Sequence, residues 1–197
     1  MMPALLACLG YGLAITLILA RCAPWLRARP ERMTIALAAV CALLYLPVAG
    51  VSLLAVLRGA LGDLSIVTLV FLLSILFLRG PRPLLPHAGF FALMGLAFFF
   101  LSFGLLPLDL YALGYASAVL PCLTGGLAFL LWLRGWIAPS LALLAALAGW
   151  RLHWLDSTNL WDYLLDVPLV VVASSRAAFS RIARKPVIKP VIQDAVK

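Results

Sequence analysis

Charge is scarce in this chain. Asp, Glu, Lys and Arg make up 11% of its 197 residues, against about 25% in a soluble domain, and 65% are hydrophobic against roughly 45 to 50%. Acidic residues are scarcest, seven in all, with Glu31 the only glutamate. A mean hydropathy of +1.14 points the same way, and a soluble globular domain is excluded. Histidine occurs twice, as His87 and His153, too sparsely for a haem pair or a zinc site without further ligands. The four cysteines, Cys8, Cys22, Cys41 and Cys122, never fall at the two-residue spacing of redox and zinc motifs and read as small apolar packing residues. A nucleophile elbow, a phosphate loop, a dinucleotide fingerprint and an HExxH helix are also missing. No cofactor and no metal are expected.

Long apolar runs are plentiful. Delimited by charge and by Pro or Gly, they cover 3–20, 33–57, 64–78, 88–106, 110–133, 137–155 and 160–179. A membrane-crossing helix needs about 20 apolar residues, and runs this continuous lack the alternation of barrel strands. The expectation is an all-α fold: a polytopic transmembrane helical bundle of about seven spans over 1–180, followed by a basic cytoplasmic tail over 181–197. No Lys or Arg precedes the first run and no small-x-small cleavage site follows it, so that helix is expected to be retained. Pro47 in the second run, Pro121 followed by Gly125 and Gly126 in the fifth, and Pro168 near the start of the seventh predict kinks. Small residues four apart, Gly10 and Ala14, Gly114 and Ala118, Cys122 and Gly126, allow close helix contact. The fourth run carries Phe90, Phe91, Phe98, Phe99, Phe100 and Phe103, too many for one narrow stripe, so some of these rings are expected to face lipid.

The net charge of +8 would suggest nucleic acid in a soluble chain, but a bilayer explains it better. Seven spans sort the loops into two sets. Thirteen cations, among them Arg21, Arg27, Arg29, Arg32, Arg134 and Arg176, fall on one side, and Arg58 and Arg151 on the other with Asp63, Asp109, Asp156, Asp162 and Asp166. The positive-inside rule then places the amino terminus outside and the carboxyl terminus in the cytoplasm, in a cytoplasmic-type (inner) membrane. The expected partners are the lipid bilayer, other membrane proteins, and anionic lipid at the basic tail, with no nucleic acid. That tail contains a tandem Lys-Pro-Val-Ile starting at Lys185 and Lys189, whose prolines favour an extended path along the membrane.

Function in a membrane usually leaves ionisable groups at depth, and the middles of the seven runs have none. Proton-coupled transport through carboxylates and voltage sensing therefore lack their residues. One constellation concentrates charge, the outward stretch 151–166. Asp162 and Asp166, four apart, would share a helix face, and with His153 and Asp156 they could form a carboxylate and imidazole cluster for acid-base chemistry or a divalent ion. On that reading Asp166 lies roughly 9 Å inside the seventh span, at 1.5 Å per residue. The competing reading is structural: Asn159 caps the last helix with Asp162 as its reciprocal partner, Arg151 neutralises an aspartate, and Trp154, Trp161 and Tyr163 form an interfacial belt. Three functions stay open. The favoured one is an accessory or scaffolding subunit of a membrane complex. The others are a small permease or lipid-handling protein using kinked spans 2 and 5, and a membrane enzyme acting through Asp162, Asp166 and His153.

Overall fold

The computed structural model describes residues 2–77, 87–102, 110–116 and 118–183. Its helices are α1 (Met2–Cys22), α2 (Pro30–Leu44), α3 (Leu53–Leu61), α4 (Ile66–Phe77), α5 (Ala88–Phe100), α6 (Leu113–Ala116), α7 (Val119–Leu133), α8 (Ile137–Arg151), α9 (Trp161–Leu164) and α10 (Val167–Ala183). Two short strands, β1 (Pro47–Val48) and β2 (Val51–Ser52), pair antiparallel. The fold is all-α in class. Among the described residues α1, at 21 residues, is the one helix long and apolar enough to cross a membrane by itself. The other apolar helices, α4, α5, α7, α8 and α10, are shorter.

Among the described residues the helices of 12 residues or more are α1, α2, α4, α5, α7, α8 and α10, and their contacts make them alternate in direction. Cys8 of α1 meets Cys41 of α2, each thiol donating to the other's carbonyl at 3.8 and 3.7 Å. The start of α4 meets the end of α8 through Ile66 and Gly149, and α5 opposes α10 through Gly95 and Val170. The starts of α5 and α8 come together where His87 stacks edge-on against Trp136 at 4.4 Å. Two ends result. One gathers Asp63, Asp156, Asp162 and Asp166 with Arg58 and Arg151, and the other gathers Arg21, Arg27, Arg29, Arg32, Arg134 and Arg176 with Glu31. We call them the carboxylate end and the arginine end.

The core has two parts. The larger is built from α4, α5, α7, α8, α9 and α10 around Phe91, Val67, Leu143 and Leu160, and the smaller joins α1, α2 and α3 through Ala7, Tyr11, Val40 and Leu54. Gly10 lets α1 approach Leu64 and Leu69, as its small-residue spacing predicts. Cys122 and Gly126 instead face outward on α7, with no neighbour within 4 Å of a β-carbon built at Gly126. Of the phenylalanines, Phe91 and Phe98 are buried and Phe100 is exposed.

Three apolar runs are not single helices. In 33–57, α2 ends before Pro47, which has no N–H to give the helix ladder and would clash with the preceding turn. A hairpin follows, its loop residues Ala49 and Gly50 both at positive φ (53° and 83°) as a type I′ turn requires. Ser52 then restarts the chain as α3 by accepting the Ala55 amide at 3.2 Å. The kink expected at Pro47 is therefore a helix end. In 110–133 the long helix starts only at Val119, so Pro121 occupies its first turn, where a missing N–H costs nothing. No kink arises there either. In 160–179, Leu165 is extended (φ −135°, ψ 142°) and separates the short α9 from α10.

The repeat of Lys185 to Ile192, together with Arg79, Arg82, Phe103 and Asp109, lies outside the described residues.

Candidate functional site

The carboxylate end is built by the loop between α8 and α9, which is pinned from several directions. Tyr163, fully buried, accepts the Leu155 amide at 3.1 Å and shares its hydroxyl proton between the carbonyls of Leu155 (3.1 Å) and Ser157 (2.9 Å). Burial pushes its phenol above the ordinary value of 10.0. Tyr163 is therefore a buried strut and not a belt residue. Asn159, also fully buried, accepts the Trp161 amide at 3.0 Å and donates to the Tyr111 carbonyl at 3.1 Å. Gly114 lies against it so closely that an added β-carbon would fall 1.7 Å from the Asn159 Oδ1. Asn159, one residue before the N-cap Leu160, thus holds the first amide of α9 and does not cap the last helix. Its expected partner Asp162 accepts instead from the hydroxyl of Ser157 and, at 3.3 Å, from that of Tyr111. Burial, a Tyr115 hydrogen bond and the nearby Asp162 charge all raise the Tyr111 phenol.

Asp166 caps α10. Its Oδ1 accepts the Leu169 amide at 2.6 Å, three residues on, and its carbonyl accepts the Val170 amide at 3.2 Å. Its other oxygen, Oδ2, accepts the amide of Ser65 at 2.7 Å. Ser65 is itself the cap of α4, its hydroxyl oxygen accepting the Thr68 amide at 3.1 Å. In a capping box the third helical residue reaches back to the cap's own N–H. Here a carboxylate from a different helix does that for α4. Asp166 is 7% exposed and sits at the mouth of the last helix, not some 9 Å within it, because the extended Leu165 moves the helix start. It does not share a helix face with Asp162.

Asp63, Asp162 and Asp166 nevertheless line one cavity of about 330 Å3, with Ser157 and Tyr111 at its polar wall and Phe98, Phe99 and Trp161 at its apolar one. The sequence-predicted cluster is only partly assembled. Asp162 and Asp166 meet there; His153 and Asp156 do not line it. Asp156, 65% exposed, pairs with Arg58 Nη2 at 2.6 Å. His153 is exposed and occupies the left-handed position (φ 52°) that ends α8: its amide donates to Trp150 O at 3.1 Å, and that of Trp154 to Gly149 O at 3.0 Å. These two bonds are a Schellman motif, which gives His153 a backbone role. Arg151 makes no ion pair among the described residues, and Arg58 takes the neutralising role expected of it.

Asp63 and Arg58 are the members that sequence reasoning missed. The guanidinium grips the Asp63 carboxylate with two parallel bonds, Nε to Oδ1 at 2.6 Å and Nη2 to Oδ2 at 2.7 Å. The available signal was that Arg58 is one of two cations on an acid-rich side. Chemically, the cavity presents three carboxylates that already hold donors: two amides on Asp166, two hydroxyls on Asp162 and one guanidinium on Asp63. Among the described residues no three His, Cys, Asp or Glu side chains are grouped as a metal site. Compared with protein-family models, with curated proteins and with solved structures, the chain matches none.

Proposed function

We propose that the chain is a multi-pass protein of the cytoplasmic membrane, with its arginine end in the cytoplasm, serving as an accessory or scaffolding subunit of a membrane complex. The placement is supported by alternating apolar helices whose charges collect at opposite ends, the pattern the positive-inside rule describes. The observation that carries the role is the use made of the carboxylates. Asp166, Asp162, Asp156 and Asp63 each bond to another segment or to a guanidinium that links segments, so the polar groups act as internal fastenings. A partner helix has a natural seat on α7, where Cys122 and Gly126 form a small-residue step between the exposed Leu123, Phe129 and Leu130.

Gentle detergent extraction should recover the protein with stoichiometric partners. Gly126→Leu should release them without loss of folded protein, since the new side chain points into open space. Recovery of the wild type only as a free monomer or homo-oligomer overturns the role. A phosphatase active only outside the cell, fused at Lys197, should be silent; activity there overturns the orientation.

One observation favours a second reading. The 330 Å3 cavity draws carboxylates from two chain segments about a hundred residues apart, as an enzyme acting on an exported or lipid-linked substrate needs. An Asp162→Asn protein of normal abundance and unchanged phenotype eliminates it. The permease reading rested on kinks at Pro47 and Pro121, and neither proline kinks a long helix.

A further inference from the structure

A groove unrelated to the carboxylate cavity runs between α1, α4 and α10 and encloses about 310 Å3. On α4 it extends from Thr68 to Ile75, about 10 Å at 1.5 Å per residue, with Leu64 just before the helix, so it is elongated along the helix. Its flanks are apolar, and it opens sideways past the exposed Ile18 and Val172. At the arginine end three guanidiniums border it: Arg21 from the last turn of α1, Arg27 from the turn that follows, and the half-buried Arg176 of α10. Among the described residues none of the three has an ion pair, and both ion pairs there are made by Arg58 at the other end. Glu31, the only described carboxylate at the arginine end, pairs with none of them.

Three cations that no described carboxylate neutralises, beside an apolar slot, call for an anion that carries a hydrocarbon chain. We propose that the groove seats one anionic phospholipid, its phosphate held by Arg21, Arg27 and Arg176 and an acyl chain laid along α4. Guanidiniums suit this because their planar forks match phosphate oxygens two at a time. Basic pockets between helices on the cytoplasmic side are where such headgroups bind. The chain's own segments are poor occupants. Those that follow α4 and α10 in sequence, 78–86 and 184–197, bring Arg79, Arg82, Arg184, Lys185, Lys189 and Lys197 against a single Asp194, and would add to the charge. Segregation of cations to one membrane face explains arginines at this end, but not three of them, from two helices and a turn, converging on one apolar slot.

The proposal rests on the membrane placement given above and not on the accessory role. The test is native mass spectrometry of the detergent-solubilised full chain titrated with phosphatidylglycerol and, separately, with phosphatidylcholine of the same acyl chains. The wild type should retain one phosphatidylglycerol in preference to phosphatidylcholine. The triple variant Arg21→Gln, Arg27→Gln, Arg176→Gln should bind it roughly a hundredfold more weakly, at about 1 kcal/mol per cation. The triple variant Arg29→Gln, Arg32→Gln, Arg134→Gln removes equal charge from the same end without touching the groove and should bind as the wild type does. Equal loss in both triples, or equal retention of the two lipids, overturns the proposal. So does glycerol 3-phosphate displacing the lipid at matched concentration, which would mean that the headgroup alone is bound. If the first triple does not fold, Arg176→Gln alone is compared with Arg134→Gln under the same criteria. Alkaline carbonate washing of native membranes reports the placement separately: release of the protein refutes the placement, whereas loss of lipid preference from a protein that stays embedded refutes only the groove.

Discussion

Replacing Asp166 separates a fastening from a catalytic group. Its two oxygens accept the amides of Ser65 and Leu169 at 2.7 and 2.6 Å, and Ser65 is fully buried, so its amide loses its partner when the carboxylate goes. Hydrogen bonds to a charged group contribute about 1.5 to 3 kcal/mol each. Asp166→Ala strands both amides and should cost about 3 to 5 kcal/mol, a large share of the roughly 5 to 15 kcal/mol that holds most domains folded. Asp166→Asn keeps an oxygen for the Leu169 amide, but turns its own NH2 toward the Ser65 N–H, so one bond is lost and the cost falls to about 1.5 to 3 kcal/mol. Unfolding by SDS titration in mild detergent should rank wild type above Asn and Asn above Ala. An Asn variant as stable as the wild type would refute the double cap, and one that is stable yet inactive in the cell would move Asp166 back among catalytic candidates.

Three further outcomes follow from the same geometry. Gly114→Ala drives a methyl into the fully buried Asn159 amide, and as overpacking it should cost about 1 to 3 kcal/mol or more by the same titration. His153→Gly relieves a left-handed side chain and should raise stability by up to about 1 to 2 kcal/mol, with phenotype unchanged; a null phenotype in a stabilised protein would show that the imidazole has work of its own. Because the folded chain holds the Tyr163 proton more tightly than the unfolded chain, the stability from that shift is complete below pH 10 and falls as pH rises beyond it. Tyr163→Phe should be less stable at neutral pH and show a shallower alkaline decline, read from unfolding curves between pH 8 and 12.

Hydropathy located α1, α4, α5, α7, α8 and α10, because each fills most of an apolar run that charge, Gly or Pro interrupts. It could not divide the runs. Pro47 and Gly50 were visible, but Ala49 at positive φ is a turn that composition does not announce, and the run 33–57 is apolar throughout. The start of α10 was more legible than its reading allowed: Asp166 followed two residues later by Pro168 is a helix-start pattern, yet the four-residue spacing from Asp162 suggested one continuous face. The candidate site shows the same limit. Asp162 and Asp166 were found from local density of charge, while Asp63 and Arg58 arrive from a segment about a hundred residues earlier, and only tertiary packing brings them there.

The joint between Ser65 and Asp166 spans 101 residues of chain. A ribosome therefore delivers α4 long before the group that completes its first turn, and the amide must wait, open, while the long helices α5, α7 and α8 are made. Closure of the bundle is in this sense dated by its last helix. A nascent chain stopped short of residue 166 carries a nearly full complement of helices and still lacks the latch, which gives cellular quality control a physical mark by which to tell finished molecules from unfinished ones.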